Sequence, residues 1–507
     1  MLDMFGKSKW FAVATIFAIC IAPTFISYQP YLFRWDDSEY LQRSITVSRA
    51  FWSWNVHGMG VGMVSKRPPV MTLMGLPWGP LASWEAAGKC FVTLAAVISL
   101  MVALCLYLLL RIGVKPLSLV IASVCVLASI GPYPAGPSAH FDATAFMADS
   151  LFAWTTLAAV LLIPFEARVH CPSIRGAVMR GFLWASILSL GAMTKVSFFY
   201  FIVLIVPILF LIRLRRGGLR SALAALIAFA CGSAPSAIYL VRWGRLAFEN
   251  GGTSSFGSVA ADFYNTSIVQ FLGACIRESP GLLASFGIMA TALIYLVIKR
   301  RIIVLGPDFL ALLIMIGFGI VVIASPNRQM RYSFPAIVAL PFLIGVLMSA
   351  KGDVVPRRSA ALAAGLVFFC LLVAVVPTRH RANRQSLSRA DAVLAQVARC
   401  HGRRILLATD SPTLNKNLMD LAIEVWATEA SLEVDTLAYQ AMSGVPIEDD
   451  FHAIGESDLV VFQDRDALSP SFTNQRVSEY ERYIHQGGYV PMRVGDDVSL
   501  YLMDCRP

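Results

Sequence analysis

Charged residues are scarce in this chain: they make up 15% of its 507 residues, whereas 57% are hydrophobic, and the mean hydropathy is +0.65. Soluble globular proteins carry about 25% charged residues, so this composition excludes a soluble globule. The charged residues separate apolar runs of about 20 residues, which is the length that crosses the hydrocarbon core of a bilayer. The sequence therefore predicts a polytopic α-helical membrane protein.

The sequence also lacks the motifs of several enzyme classes. It contains no Walker A run and no dinucleotide fingerprint, and this argues against a nucleotide substrate. Most of the ten cysteines fall in apolar segments and show no metal-binding spacing. His140 and Asp142 resemble a metal pair, but two ligands do not make a metal site. We therefore expect neither a bound metal nor another cofactor.

The excess of positive charge is confined to the first three quarters of the chain. Residues 1–379 contain 30 basic and 13 acidic residues, a net charge of +17, whereas residues 380–507 contain 12 and 19, a net charge of −7. Basic loops on the cytoplasmic side orient membrane proteins, which explains the excess without a nucleic-acid partner. The change in composition predicts a membrane domain over 1–379 and an extracytoplasmic domain over 380–507.

Eleven membrane spans are predicted, near 10–29, 88–110, 116–133, 144–163, 180–194, 196–212, 221–241, 281–298, 302–324, 333–349 and 360–377. Lys195 divides one long apolar stretch into the fifth and sixth spans. No small-residue cleavage site follows the first span, so it is interpreted as a retained anchor. Basic residues, Arg180 and Arg213 among them, fall in alternate loops, which places the N-terminus in the cytoplasm and the tail outside.

The tail is predicted to form a small α/β domain. Buried strands are predicted over 404–410 and 458–463, helices over 414–426 and 473–485, and a closing hairpin over 488–493 and 498–503. The tail has no Gly-rich phosphate motif, so we assign it no nucleotide. Cys400 and Cys505 lie near its two ends, and their positions fit either a disulfide or two buried thiols.

Acidic residues cluster just after the first span, where the membrane meets water. The stretch is Arg34-Trp35-Asp36-Asp37-Ser38-Glu39-Tyr40, and the turn Lys66-Arg67-Pro68-Pro69 follows it. One interpretation is structural, because Asp36 or Ser38 would cap an interfacial helix. The other is chemical, because a carboxylate at this position would accept the proton of an attacking hydroxyl group.

Other polar residues interrupt apolar segments near the same face. Asp149 stands at the outer end of the fourth span, where a carboxylate either caps the helix or faces a polar cavity. Lys195 is either a snorkelling side chain or a cation that binds phosphate. Arg328 and Arg331 lie in a short outer loop, and a guanidinium group binds phosphate through two parallel hydrogen bonds.

In their order along the chain, these motifs resemble those of the GT-C glycosyltransferases. The similar families are the lipid A aminoarabinose transferases and the dolichyl-phosphate-mannose protein mannosyltransferases. In the first outer loop, the shared features are the acidic pair Asp36-Asp37 with Tyr40 after it, and a Lys-Pro-Pro-like turn that Arg67 interrupts here. Farther along the chain, they are Asp149 at the start of the fourth span, Thr194-Lys195 at the end of the fifth, and Arg331-Tyr332 before a late span. The resemblance covers about residues 30–340 and leaves the tail unmatched.

The resemblance implies a GT-C fold and sugar transfer on the outer face of a membrane. The expected membrane is the inner membrane of a bacterium. Asp36 would be the base, Asp37 would bind the acceptor or hold Asp36, and Asp149 would complete the catalytic set. A polyprenyl-phosphate sugar would be the donor, and a glycan, lipid or protein the acceptor. The residues expected to bind the donor phosphate are Lys66, Arg67, Lys195, Arg328 and Arg331, and those expected to contact substrate are Glu39, Tyr40 and Tyr332.

Two other classes of function compete with this interpretation. A transporter or flippase for a lipid-linked glycan would also have many spans, outer acids and buried cations. However, the acids cluster on one face instead of at mid-membrane positions, and neither half of the chain repeats the other. The third possibility is a non-catalytic envelope assembly protein that binds partners through its tail.

Overall fold

The structure is a computed structural model that describes part of the chain. The described residues are 35–63, 69–81, 85–112, 148–168, 173–195, 198–255, 267–278, isolated positions between 314 and 339, 389–397, 403–411, 414–426, 432–441, 444–463, 474–494 and 498–502. The chain divides into two compact units. The first unit consists of Met1–Ser27, Val64–Met71 and Val92–Pro377, and the second of Tyr28–Met63, Thr72–Phe91 and Thr378–Pro507. The second unit therefore combines most of the first outer loop with the tail.

Helices make up most of the described chain before residue 279. They are α1 (Trp35–Trp52), α2 (Val56–Met63), α3 (Glu85–Arg111), α4 (Ala148–Arg168), α5 (Ile174–Thr194), α6 (Phe199–Ser255) and α7 (Ile268–Glu278). Short 3-10 helices cover Met71–Leu73 and Leu76–Trp78. Within the described residues, two segments have the length and apolar composition of a membrane span, Leu151–Arg168 and Ile174–Thr194.

Five of the predicted spans coincide with these helices. The spans near 88–110, 144–163 and 180–194 correspond to α3, α4 and α5. Those near 196–212 and 221–241 correspond to two parts of α6. The remaining six spans lie outside the described residues or are described only at isolated positions. The total of eleven therefore stays a prediction.

Lys195 separates two helices, as the sequence predicts. Helix α5 ends at Thr194, and Lys195 has an extended backbone with φ −150° and ψ 127°. Its N–H donates to the Gly191 carbonyl oxygen over 3.0 Å, which caps the helix. Phe198 then packs against Gly191, where an added Cβ would lie 2.4 Å from the Phe198 ring. The absence of a side chain at Gly191 therefore lets the chain turn sharply into α6.

A second break divides α6 at Gly218, which has φ 70° and ψ 176°. This left-handed conformation favours glycine, because other residues clash there. The part of α6 after this break packs closely on α5: a Cβ on Gly181 would lie 2.1 Å from the Ala225 carbonyl oxygen. Farther along both helices, the Ser236 hydroxyl donates to that of Ser189 over 3.1 Å. These contacts advance together along the two helices, so α5 runs parallel to the second part of α6.

A buried ion cluster joins α4, α5 and the first part of α6. The Glu166 side chain is 1% exposed, and its Oε2 lies 2.8 Å from Nη1 of Arg180 and 3.8 Å from Nη1 of Arg213. The Trp184 indole N–H donates to Glu166 Oε1 over 3.3 Å. Both arginine side chains are buried, because a carboxylate compensates their charge.

The tail contains a five-stranded mixed sheet in the order β2-β1-β3-β5-β4. Its elements are β1 (Arg404–Leu407), α8 (Lys416–Trp426), β2 (Glu433–Thr436), α9 (Ile447–Gly455), β3 (Leu459–Gln463), α10 (Val477–Gln486), β4 (Val490–Val494) and β5 (Val498–Leu502). Strand β1 pairs in parallel with β2 and β3, whereas β5 pairs antiparallel with β3 and β4. The predicted strands, hairpin and two helices of the α/β domain are confirmed.

Alternating and continuous apolar patterns account for the core of this sheet. All five residues of β3 are buried, as expected for a central strand covered on both faces. Val460 and Phe462 of β3 pack with Leu406, Tyr480 and Tyr501 in one apolar cluster. The Phe462 and Tyr501 rings meet edge to face with their centroids 5.3 Å apart.

Candidate active site

The acidic cluster of the first outer loop opens helix α1. Within the described residues the helix runs from Trp35, so Asp36 and Asp37 lie in its first described turn, where negative charge is favourable. Asp36 and Ser38 both lie inside the helix, and Ser38 is fully buried, so the prediction that either residue is its N-cap is wrong. The Ser38 hydroxyl has no hydrogen-bond partner among the described residues. Helix α1 therefore presents both aspartates at its N-terminal end.

The next two residues of the cluster have different surroundings. Glu39 Oε1 accepts a hydrogen bond from Nε of Arg43 over 3.2 Å, one turn later in α1. Tyr40 is only 4% exposed and belongs to the apolar core of the second unit. A substrate contact by Glu39 or Tyr40 stays a prediction, and for Tyr40 only its hydroxyl group is suited to make one.

The segment after the Lys-Arg-Pro-Pro turn packs against α1 at close range. The Ser44 hydroxyl accepts from the Gly75 N–H over 2.8 Å, and the Ser48 hydroxyl donates to the Gly79 carbonyl oxygen over 2.5 Å. A Cβ on Gly75 would lie 2.9 Å from the Ser44 carbonyl oxygen, so only glycine fits there without a shift. Small residues thus allow backbone-to-helix contact and fix one side of α1.

Helix α8 of the tail packs against α1 within the same unit. Arg49 Nη1 lies 2.9 Å from Glu424 Oε1, and the two side chains are 28% and 26% exposed. Arg49 also donates through Nε to the Leu81 carbonyl oxygen over 2.5 Å. One guanidinium group therefore connects α1, the segment after it and the tail. The sequence contains no pattern that pairs residues so far apart.

Asp420 lies one turn before Glu424 on α8, and its charge is influenced by both helices. Burial raises the pKa of Asp420 to about 6; Lys416 and Arg43 oppose this rise, whereas Asp435 and Glu39 add to it. Lys416 Nζ is 3.9 Å from Asp420 Oδ2. The carboxyl group is thus protonated at mildly acidic pH, in contrast to an ordinary aspartate.

Asp420→Asn is expected to stabilise the second unit above pH 6. Because the folded-state pKa of about 6 exceeds the ordinary value of 3.8, the folded chain binds this proton more tightly than the unfolded chain. In the wild type, protonated Asp420 contributes stability that is fully present below about pH 4 and is lost as the pH rises through about 6. This contribution is at most about 3 kcal/mol. Thermal unfolding of both proteins checks this: the variant should melt higher at pH 7.5, by a margin that shrinks near pH 4. Equal transition temperatures at pH 7.5 would contradict it.

Three sequence-distant segments meet around Lys195 in the first unit. The Val70 N–H, directly after the Lys-Arg-Pro-Pro turn, donates to the Met193 carbonyl oxygen at the end of α5 over 3.1 Å. The Lys195 ammonium lies 5.1 Å from the centre of the Phe152 ring of α4. Phe152 comes three residues after Asp149, the second residue of α4. Val70, Lys195 and the first turns of α4 are therefore neighbours.

The surroundings of Lys195 suit the binding of an anion. Its ammonium faces an aromatic ring, and the Phe152 and Phe198 rings meet edge to face at 6.0 Å between their centroids. Lys195 itself is partly exposed, so its charge is reachable from outside the helix pair. Apolar walls strengthen the attraction between a cation and a phosphate, because they lower the local dielectric constant.

Several predicted site residues lie outside the described part of the chain. They are Lys66, Arg67, Arg328, Arg331 and Tyr332, together with Cys400 and Cys505. Asp36, Asp37 and Asp149 are located by their positions at the N-terminal ends of α1 and α4. Among the described residues, no group of three or more His, Cys, Asp or Glu side chains is suited to hold a metal ion. The roles of all these residues stay predictions.

The fold is similar to those of several solved structures. It matches ArnT from Cupriavidus metallidurans, solved with undecaprenyl phosphate, at a TM-score of 0.54 and 11% identity over 98% of both chains. It matches the Archaeoglobus fulgidus oligosaccharyltransferase at a TM-score of 0.53 and 12% identity, over 90% of this chain and 69% of the oligosaccharyltransferase chain. AglB from the same organism, in complex with an inhibitory peptide and a dolichol-phosphate, gives the same values.

At 11–12% identity these similarities show the fold, which the chain shares with ArnT and with the oligosaccharyltransferases. No protein-family model and no curated protein sequence matches the chain. The similarity therefore lies in the fold and not in the sequence. The resemblance predicted from the first outer loop, Lys195 and the late Arg-Tyr is confirmed at the level of the fold.

Proposed function

We propose that the chain is an integral membrane glycosyltransferase that moves a sugar from a polyprenyl-phosphate donor to an acceptor outside the cytoplasm. The observation that supports this most is the meeting of the segment after the Lys-Arg-Pro-Pro turn with Lys195 and the start of α4, on a GT-C fold. Cations gathered near the outer membrane face can bind the phosphate of a lipid donor through charged hydrogen bonds.

The donor phosphate is bound by cations from separate parts of the chain. Lys195 is central, and Arg67 is only three residues from Val70, a distance of at most about 11 Å along the chain. Lys66 precedes it, and Arg328 and Arg331 complete the set, with Tyr332 contacting the sugar. Negative charge grows on the phosphate as the glycosidic bond breaks, and fixed donors in a dry site stabilise it.

The acceptor is activated by the aspartates of α1. Asp36 takes the proton of the acceptor hydroxyl as its oxygen attacks the anomeric carbon, while the bond to the phosphate oxygen breaks. Asp37 binds the acceptor or holds Asp36, Asp149 supports the reacting groups, and Glu39 and Tyr40 contact the acceptor. One base and one leaving phosphate suffice for a direct displacement with inversion. The reaction needs no cofactor.

The proposed setting is the inner membrane of a bacterium, with the N-terminus in the cytoplasm and the tail outside. The basic inner loops support this orientation. A donor embedded in the outer leaflet, either hexosyl or pentosyl, then reaches the site from the lipid, and the acceptor is a glycan, a lipid or a protein. The competing functions, a glycan flippase and a non-catalytic assembly protein, require no chemistry at Asp36.

Lys195→Met is expected to raise the donor KM by about tenfold or more, since it removes one charged hydrogen bond to phosphate. Methionine keeps an unbranched side chain near the Phe152 ring, so packing is retained. Titration of purified enzyme with a polyprenyl-phosphate sugar measures this change. Lys89→Met is the matched control, because Lys89 is an exposed lysine of α3. Small and equal effects of the two substitutions would indicate contact with lipid headgroups in place of a phosphate site.

A further inference from the structure

The C-terminal domain and the aspartate-bearing helix are held together within one unit. Helix α8 of the tail packs against α1, whose first turn contains Asp36 and Asp37. Arg49 of α1 and Glu424 of α8 form an ion pair of 2.9 Å between the two helices.

The ion pair connects the tail to the helix that carries the candidate base. Arg49 and Asp37 belong to the same helix, so a displacement of α1 at Arg49 also moves its N-terminal turn.

The α8 side of this contact is anchored in the sheet. Leu418, Met419, Leu421 and Ala422 of α8 are buried, α8 packs against β2, and the Lys416 ammonium donates to the Val434 carbonyl oxygen of β2. Movement of α8 relative to β2 would break this hydrogen bond. On the α1 side, Leu41 and Ile45 are buried to 1% or less. The tail is thus a rigid support for α1, since packed interiors transmit displacement.

We propose that the C-terminal domain positions α1 for the transfer reaction, with Arg49 and Glu424 as the positioning residues. This inference rests on the proposed function, because it gives the tail a role in that same reaction. Neither residue is assigned a contact with the reacting atoms; both act through the placement of α1. Loss of one of them is therefore expected to lower kcat and to leave the donor KM unchanged.

The test compares Glu424→Gln with Glu456→Gln, measured by hydrogen exchange and by kinetics. Glu456 pairs with Arg404 at 3.5 Å in the same unit, but both side chains are more than half exposed and neither lies on α1. Glu424→Gln is expected to speed exchange of the α1 amides about tenfold, the effect of losing one charged hydrogen bond, with β1 and β3 unchanged. Glu456→Gln should match the wild type throughout.

Kinetics then separate positioning from simple stability. Glu424→Gln is expected to lower kcat about tenfold at unchanged donor KM, and the double variant with Arg49→Gln should be no worse than the more damaged single variant.

The outcomes distinguish this inference from the proposed function. Unchanged α1 exchange in Glu424→Gln would overturn the positioning role, whatever the activity. Faster exchange of α1 with a normal kcat would overturn it as well. Faster α1 exchange in a protein whose wild type transfers no sugar would leave the α1–α8 coupling intact and contradict the proposed function instead.

Discussion

Asp36→Asn is expected to lower the rate of sugar transfer by about 10²–10⁴ while the protein stays folded and still binds donor lipid. Asparagine keeps the shape of the side chain but cannot accept the proton of the acceptor hydroxyl. Asp36 lies in the first turn of α1, so its replacement removes a favourable interaction with the helix dipole of only about 0.3–1 kcal/mol. A large loss of rate without a large loss of stability therefore shows that Asp36 acts in the reaction and does not only stabilise the end of the helix.

Asp37→Asn is the matched control for this substitution, because Asp37 occupies the same helical turn with the same side chain. We expect a milder loss of rate. Single-turnover transfer and thermal unfolding, measured on both variants, check the assignment. Full turnover in Asp36→Asn with an inactive Asp37→Asn would exchange the two roles. Full turnover in both variants would leave only a structural role for the acidic cluster.

Glu166→Leu is expected to lower the free energy of unfolding of the first unit by about 3–5 kcal/mol. Removing one partner of a buried ion pair leaves an uncompensated charge, and here two guanidinium groups, those of Arg180 and Arg213, face Glu166. The Trp184 indole N–H also loses its acceptor. Thermal unfolding of the purified protein in detergent measures the change.

The control for the Glu166 substitution is Glu249→Leu on α6. Glu249 pairs with Arg245 at 2.8 Å, but both side chains are well exposed, so this pair is screened by solvent. We expect no measurable change in its transition temperature. If Glu166→Leu unfolds at the same temperature as Glu249→Leu, the buried cluster does not hold α4, α5 and α6 together.

Local patterns in the sequence predict much of the described fold. The apolar runs locate α3, α4 and α5, and the charge of Lys195 marks the end of α5. The continuous apolar stretch at 459–463 predicts β3, since central strands are buried on both faces. Strand β2 was not predicted. Its four residues alternate between exposed and buried without an apolar run, so its pairing with β1 decides its structure.

Long-range pairing is what the sequence does not contain. Arg49 and Glu424 are ordinary surface residues by local pattern, and only the fold brings α1 and α8 together. Glu166 has the same property: a single acid after a predicted span is normal in a loop. It becomes structural because the ends of three helices meet around it. For the candidate site, the sequence singles out Lys195, whereas its proximity to Phe152 and to the segment after Pro69 depends on the packing of α4 against α5.

The central claim is tested most directly by a transfer assay with purified protein. Wild-type enzyme in detergent or lipid nanodiscs is incubated with a polyprenyl-phosphate carrying a labelled sugar and with acceptor from the native envelope. We expect label to move to the acceptor and free polyprenyl phosphate to appear in equal amount, and we expect Asp36→Asn to abolish both. Translocation of the labelled lipid across vesicles without any cleavage of its sugar–phosphate bond would contradict the proposed function and indicate a flippase.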